Sequence, residues 1–369
     1  MPAIIEVQNV FKQFGDGVIA VNDVSLSVEE GEFVTLLGPS GCGKTTMLRL
    51  VAGFESPERG KILLGGEDVT ESPPYSRAVN MVFQDYALFP HMTVFENVAY
   101  GLKVSGVPKA EIGPAVDRAL RTVEMQTQGD RQPHELSGGM RQRIALARAL
   151  VREPRVLLLD EPLAALDANL RDQMRVELKH LHDRLGLTFL MVTHDQTEAL
   201  VMADRVVLMN NGKIAQEGTP TDIYEHPQST YVANFIGASN LMQGSVVDGS
   251  GDMVTISTGG GQLKASGSVA MHKALQGNVM VCVRPEKVHL LTNGQDAGDM
   301  NAIGGTVEEL LFHGSSVRIK VNLDSGEPFL VDMQMKAPTA SSGLPERGAQ
   351  VRVAFTPENT SMFPAEASR

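Results

Sequence analysis

The chain has 369 residues, 42% hydrophobic and 21% charged, which is enough for two domains with substantial cores and unlike a disordered or fibrous chain. Its formal net charge of −12, with no long basic run, argues against a nucleic-acid-binding surface. Two cysteines, Cys42 and Cys282, form no disulfide framework and suit a reducing cytosol, and no apolar run reaches bilayer-spanning length.

The opening "MPAIIEVQNVFKQFG" lacks the basic start and apolar core of a secretion signal, so work at a membrane would need another chain to span it. "IIEVQNVFKQF" and "VNDVSLSVEE" read as antiparallel strands. The apolar "EFVTLLG" reads as a buried strand feeding a glycine loop, followed by the helix "KTTMLRLVAG" and the short strands "KILLGG" and "AVNMVFQ". From about residue 86 to 150 the pattern turns helical, with "PAVDRALRTVEMQ" the clearest helix and "LSGGMRQRIALARALV" the last. The strand "RVLLLDE" and the helix "ANLRDQMRVELKHLHDRLG" come next, with Leu170, Met174, Leu178, Leu181 and Leu185 on one face, as core packing requires. "TFLMVTH" predicts a strand, "DQTEALVMA" a helix and "RVVLMNNGKI" a strand. Strands alternating with helices predict an α/β sheet covered on both faces. After about Phe235 the chain becomes rich in Gly, Ser and Val, with short alternating strands, and predicts an all-β module, a small barrel. The expected domains are therefore 1–236 and 237–369.

Three stretches carry chemistry. "GPSGCGKT", comprising Gly38, Pro39, Ser40, Gly41, Cys42, Gly43, Lys44 and Thr45, fits G-x-x-x-x-G-K-[ST] between a strand and a helix. Its backbone N–H groups and the helix start would cradle the phosphates of ATP, with Lys44 on the β- and γ-phosphates. The Thr45 hydroxyl would join the Mg2+ shell, and Thr46 would lie near the α-phosphate. "VLLLDEP" ends a buried strand in two acids: Asp160 to hold Mg2+, Glu161 to polarise the attacking water. "LSGG" places Ser137 as a helix cap and Gly138 and Gly139 where backbone can approach an anion. Because the first loop already covers one face of a nucleotide, the second is best explained if it covers the γ-phosphate of a nucleotide held by another subunit.

With these motifs in order, the chain resembles ABC-transporter ATPases from end to end: a P-loop NTPase domain with a helical subdomain, then a TOBE-like β-module. By that resemblance Gln84 in "VFQDYALFPHMTVFENV" is the Q-loop residue that contacts Mg2+ and the membrane subunit. His194 in "VTHD" is the switch histidine at the γ-phosphate, and "LAALD", ending in Asp167, is the D-loop. Phe14 in "KQFG" corresponds to the aromatic that stacks on adenine, and Pro90, Met92 and Phe95 to the patch that receives a coupling helix. Two positions depart from the family pattern: Met140 where the signature usually has Gln, and Ala164 where the D-loop usually has Ser.

"FIGASNLMQGSV", "VCVRPEKVHL" and "GGTVEELLFHGSSVRIKV" resemble the TOBE module of bacterial importer ATPases, and the first domain is most similar to spermidine/putrescine importer subunits. Importers of iron, sulfate, phosphonates or sugars share much of this text, because the solute is bound by other chains. The resemblance implies a head-to-tail dimer with a second copy, integral-membrane permease subunits, an indirect solute-binding protein and a peripheral place on the cytoplasmic face of the inner membrane. A soluble ABC ATPase of repair or translation is the competing class; such proteins usually carry two cassettes or a long coiled coil, and this sequence has neither.

Overall fold

The computed structural model describes residues 3–15, 17–250, 253–266, 277–291, 295–335 and 344–365. They form two compact units, Met1–Ile223 and Tyr224–Arg369.

The first unit opens with β1 (Ala3–Phe14), β2 (Val18–Glu29), β3 (Phe33–Leu37), α1 (Lys44–Ala52), β4 (Arg59–Leu64), β5 (Glu67–Asp68) and β6 (Val79–Val82). Three helices follow, α2 (Val94–Val104), α3 (Lys109–Thr122) and α4 (Gly138–Leu150). The unit then alternates β7 (Val156–Asp160), α5 (Ala168–Leu185), β8 (Thr188–Thr193) and α6 (Gln196–Met202), and ends in β9 (Arg205–Asn210) and β10 (Lys213–Gly218). One sheet has the order β2-β1-β4-β5 and is antiparallel; the other has the order β10-β9-β3-β8-β7-β6, with five parallel strands and β10 antiparallel at the edge.

Every residue of β3, β7 and β8 is buried, which is why these strands read as unbroken apolar runs. Alternate side chains serve two cores. Phe33, Leu157, Leu159, Phe189 and Met191 pack with the helices that include Val98, Val116, Ile144 and Leu178. Val34, Leu36, Val156, Leu158, Leu190 and Val192 pack with α1 and the antiparallel sheet. The expected stripe on α5 is core: Met174, Leu178 and Leu181 are buried, with Leu170 and Leu185 against them.

Two elements differ from expectation. Helix α3 begins at Lys109 and carries Pro114 inside, because buried Ile112 extends the apolar face upstream of the proline. "RVVLMNNGKI" is a hairpin, not one strand: Asn211 and Gly212 adopt φ of 47° and 75°, the two-residue turn that Asn-Gly favours.

The second unit contains α8 (Thr230–Phe235), preceded by α7 (Pro220–Glu225), which spans the division. Its strands are β11 (Asn240–Ser250), β12 (Met253–Thr258), β13 (Gly261–Ser266), β14 (Asn278–Val283) and β15 (His289–Leu291), then β16 (Asn301–Phe312), β17 (Ser316–Leu323), β18 (Pro328–Gln334), β19 (Gln350–Phe355) and β20 (Thr360–Pro364). They form two antiparallel sheets, β13-β12-β11-β14-β20 and β15-β19-β16-β17-β18, around one core that includes Ile256, Val281, Ile319, Phe329 and Phe355. This unit starts earlier than the expected boundary after residue 236. The buried Arg284 guanidinium donates to the carbonyls of Ala233 at 2.7 Å, Ala238 at 3.1 Å and Tyr224 at 3.0 Å, tying the segment before β11 to β14. The change of composition near Phe235 marks where strands begin, not where the unit begins.

Candidate active site

In the parallel sheet β3, β6, β7 and β8 all end on the same edge, where open α/β sheets bind ligands. The glycine loop leaves β3 at Gly38 with φ 152°, and Gly41 and Gly43 have φ of 79° and 106°. A Cβ on Gly38 would collide with the Met209 carbonyl, and one on Gly43 with the Ala20 carbonyl. The loop must therefore be glycine to close against β9 and β2, independently of any ligand. Pro39 is half-buried and Ser40 exposed on its outer side. Lys44, 5% exposed, folds back so that Nζ donates to the carbonyls of Gly38 at 2.7 Å and Pro39 at 2.9 Å. Cys42 is buried, and desolvation pushes its thiol up despite Lys44 nearby, which fits a small structural side chain rather than a reactive one.

Asp160 ends β7, 7% exposed, and its Oδ1 accepts the Thr45 hydroxyl at 3.3 Å. Burial pushes this carboxyl above its ordinary value, against the opposing pull of Thr45, Arg49 and Lys44. A hydroxyl and a carboxylate at this distance, beside a loop of backbone N–H groups, are hard oxygen donors of the kind Mg2+ shares with nucleotide phosphates, so the residues fit that ion.

Glu161 follows in a left-handed conformation, φ 45°, a strained angle for a non-glycine residue. Its N–H donates to the Val192 carbonyl at 3.0 Å and its carbonyl accepts from Ala164 N–H at 3.2 Å. The carboxylate Oε2 lies 3.1 Å from His194 Nδ1, just beyond β8, and accepts from Gln84 Nε2 at 3.4 Å, just beyond β6. Lys44, Thr45, Asp160, Glu161, Gln84 and His194 thus converge on one edge, with Thr46 half-buried on the first turn of α1.

The remaining candidates lie outside this cluster. Phe14 ends β1, the residue 38% exposed, with Lys12 Nζ 5.0 Å from its ring centroid. Ser137 caps α4, its hydroxyl accepting from Met140 N–H at 3.3 Å. Glycine has a second role here: a Cβ on Gly138 would lie 3.1 Å from Leu166, and one on Gly139 3.1 Å from Leu170, so α4 packs tightly on the segment that opens α5. Asp167 caps α5, accepting from Leu170 N–H at 3.0 Å.

Sequence reasoning missed the residues behind His194. Thr193 donates its hydroxyl to the buried Glu198 at 2.6 Å, and Asp195 pairs with Arg175 at 3.1 Å and Arg171 at 3.9 Å. The visible signal was Asp195 followed three residues later by Glu198, which reads as an ordinary capping box.

Comparison with known proteins identifies the family. The ABC transporter family model matches residues 21–164 and the TOBE domain model residues 281–363. The spermidine/putrescine import ATP-binding protein PotA of Mesorhizobium japonicum is 48% identical over 95% of this chain and 94% of its own length. The putrescine transport ATP-binding protein PotG of Escherichia coli is 44% identical over 95% of this chain and 93% of its own. A solved ATP-binding cassette, dimeric and bound to ADP and Pi after hydrolysis, matches with a TM-score of 0.52 at 30% identity, over 58% of this chain and 98% of its own. This chain belongs to the ABC transporter family: it is an ATP-binding, ATP-hydrolysing subunit that carries a TOBE domain.

Proposed function

We propose that this chain powers the import of polyamines, spermidine or putrescine, from a peripheral position on the cytoplasmic face of the cell membrane. The observation that carries the substrate is identity of 44–48% with import proteins of that name over nearly the full length of both chains. Among the described residues no helix is long and apolar enough to cross a membrane, so permease subunits would supply the path and a solute-binding protein the solute. Exposed Pro90, half-buried Met92 and Phe95, and the ring pair of Phe54 and Phe83, 5.7 Å apart, offer an apolar face for a permease helix.

Two copies would meet head to tail, each glycine loop opposite the partner's "LSGG", as support from the dimeric solved cassette suggests. Thr45, Asp160 and Gln84 would hold Mg2+, which when bound neutralises charge on the phosphate oxygens. Lys44 would exchange the Gly38 and Pro39 carbonyls for the β- and γ-phosphates, replacing two neutral acceptors by charged ones. Glu161 would orient and polarise the attacking water, with His194 beside it. Ser137 and the N–H groups of Gly138 and Gly139 would stabilise the transferring phosphoryl group from the second copy. Closing the pair would pull on the permease near Gln84. Vesicles holding this chain with its permease and solute-binding partners should take up labelled putrescine or spermidine on ATP addition. Uptake of iron, sulfate or a sugar in place of polyamine would overturn the substrate.

A further inference from the structure

His194 has an exposed side chain, yet the backbone on both sides of it is gripped by buried polar groups. Thr193, 2% exposed at the end of β8, donates its hydroxyl to Glu198 Oε2 at 2.6 Å and accepts the Asp195 N–H at 3.0 Å. Asp195 Oδ1 accepts the N–H groups of Thr197 at 2.8 Å and Glu198 at 3.1 Å, fixing the start of α6. Its Oδ2 faces Arg175 and Arg171 of α5, at 3.1 Å and 3.9 Å.

Helix capping does not explain Glu198. In a capping box its carboxylate would return to the Asp195 N–H, but that N–H is taken by the Thr193 hydroxyl. A carboxyl group 3% exposed is costly to bury, and here it holds the residue immediately before His194. We propose that Glu198, with Asp195 tied to α5, is a positioning residue for hydrolysis: it clamps the peptide from Thr193 to Asp195 so that the His194 ring stays against Glu161. This rests on the reading of His194 as part of the hydrolytic centre. The clamp also links that centre to α5, the helix that begins at the D-loop.

The test compares Glu198→Ala, Glu198→Gln, His194→Ala and the double variant Glu198→Ala/His194→Ala, reading kcat, KM for ATP and the thermal unfolding midpoint. Loss of the clamp in Glu198→Ala should lower kcat roughly 10–100-fold, as displacement of a reacting group by about an ångström does, with KM changed less than about twofold. Glu198→Gln should recover most of the rate, since its amide oxygen accepts the same hydroxyl. In the His194→Ala background, Glu198→Ala should add almost nothing, because both act through one group. Unchanged kcat in Glu198→Ala, equal damage from Glu198→Gln, or full additivity with His194→Ala would overturn the clamp. Full turnover by His194→Ala alone would instead remove the role assigned to the histidine. If Glu198→Ala does not fold, Thr193→Val deletes that hydrogen bond together with the one from the Asp195 N–H, so it should lower kcat at least as far and likewise add almost nothing in the His194→Ala background; an unchanged kcat would overturn the clamp.

Discussion

At Glu161 three demands meet: a strained φ of 45°, a place one residue past a fully buried strand, and a carboxylate 3.1 Å from His194. A replacement that keeps the shape and removes the charge isolates the chemistry. Glu161→Gln should bind ATP with unchanged affinity while turnover falls roughly 100-fold or more, as nucleotide titration and phosphate release would show. Its neighbour has the opposite economy. Burial raises the Asp160 carboxyl above its ordinary value of 3.8, so the folded state holds that proton more tightly than the unfolded state. The stability this contributes is complete below that ordinary value and is lost as pH rises through the higher folded value, leaving a buried charge at neutral pH. Asp160→Asn should therefore raise the unfolding midpoint of the nucleotide-free protein more at neutral than at acid pH, while Mg2+-dependent turnover disappears. A lower midpoint would contradict the electrostatic cause. The Asp-Glu pair was legible because an apolar run ending in acids is visible in one dimension. Glu198 was not, because its partner Thr193 is defined by a hydrogen bond that precedes the helix and not by helical spacing.

At the scale of elements, glycine does two separable jobs. In the loop after β3 it avoids backbone collision, so Gly43→Ala should cost about 1–3 kcal/mol of stability in strain and abolish ATP binding, both measurable by denaturation with and without nucleotide. At the start of α4, Gly138 and Gly139 admit Leu166 and Leu170, while Ser137 caps the helix. Aspartate caps as well as serine, so Ser137→Asp should change stability by no more than about 0.5 kcal/mol. Its negative charge would face the phosphate of a nucleotide on the second copy, so hydrolysis should be lost although the fold is kept; full hydrolysis would contradict that placement. The sequence made α4 and its cap readable, but not the leucines that demand the glycines, since these come from a segment far along the chain. The hairpin at Asn211 and Gly212 was readable and passed over: two apolar runs flanking Asn-Gly are a turn signal even when they look continuous.

The whole molecule divides where side chains, not composition, decide. Arg284 gathers carbonyls from Tyr224, Ala233 and Ala238, so the second unit includes helical residues that resemble the first in makeup. The transported solute is illegible for a different reason: no residue of an ATPase subunit needs to touch it, and only likeness over the full chain points to polyamines. On the head-to-tail pair proposed above, the hydrolytic centre would be incomplete in the same sense. Lys44, Thr45, Asp160, Glu161, Gln84 and His194 meet in one copy, whereas Ser137 accepts from Met140 and Arg141 N–H groups of its own helix; in the proposed pair the "LSGG" face would meet the nucleotide of the other copy. The most direct test is ATP turnover per chain as the isolated protein is diluted at saturating ATP and Mg2+. Turnover per chain should collapse as the protein is diluted to the monomer; a monomer that hydrolyses ATP at an undiminished rate with Ser137 and Gly138 replaced would contradict a centre shared between two copies.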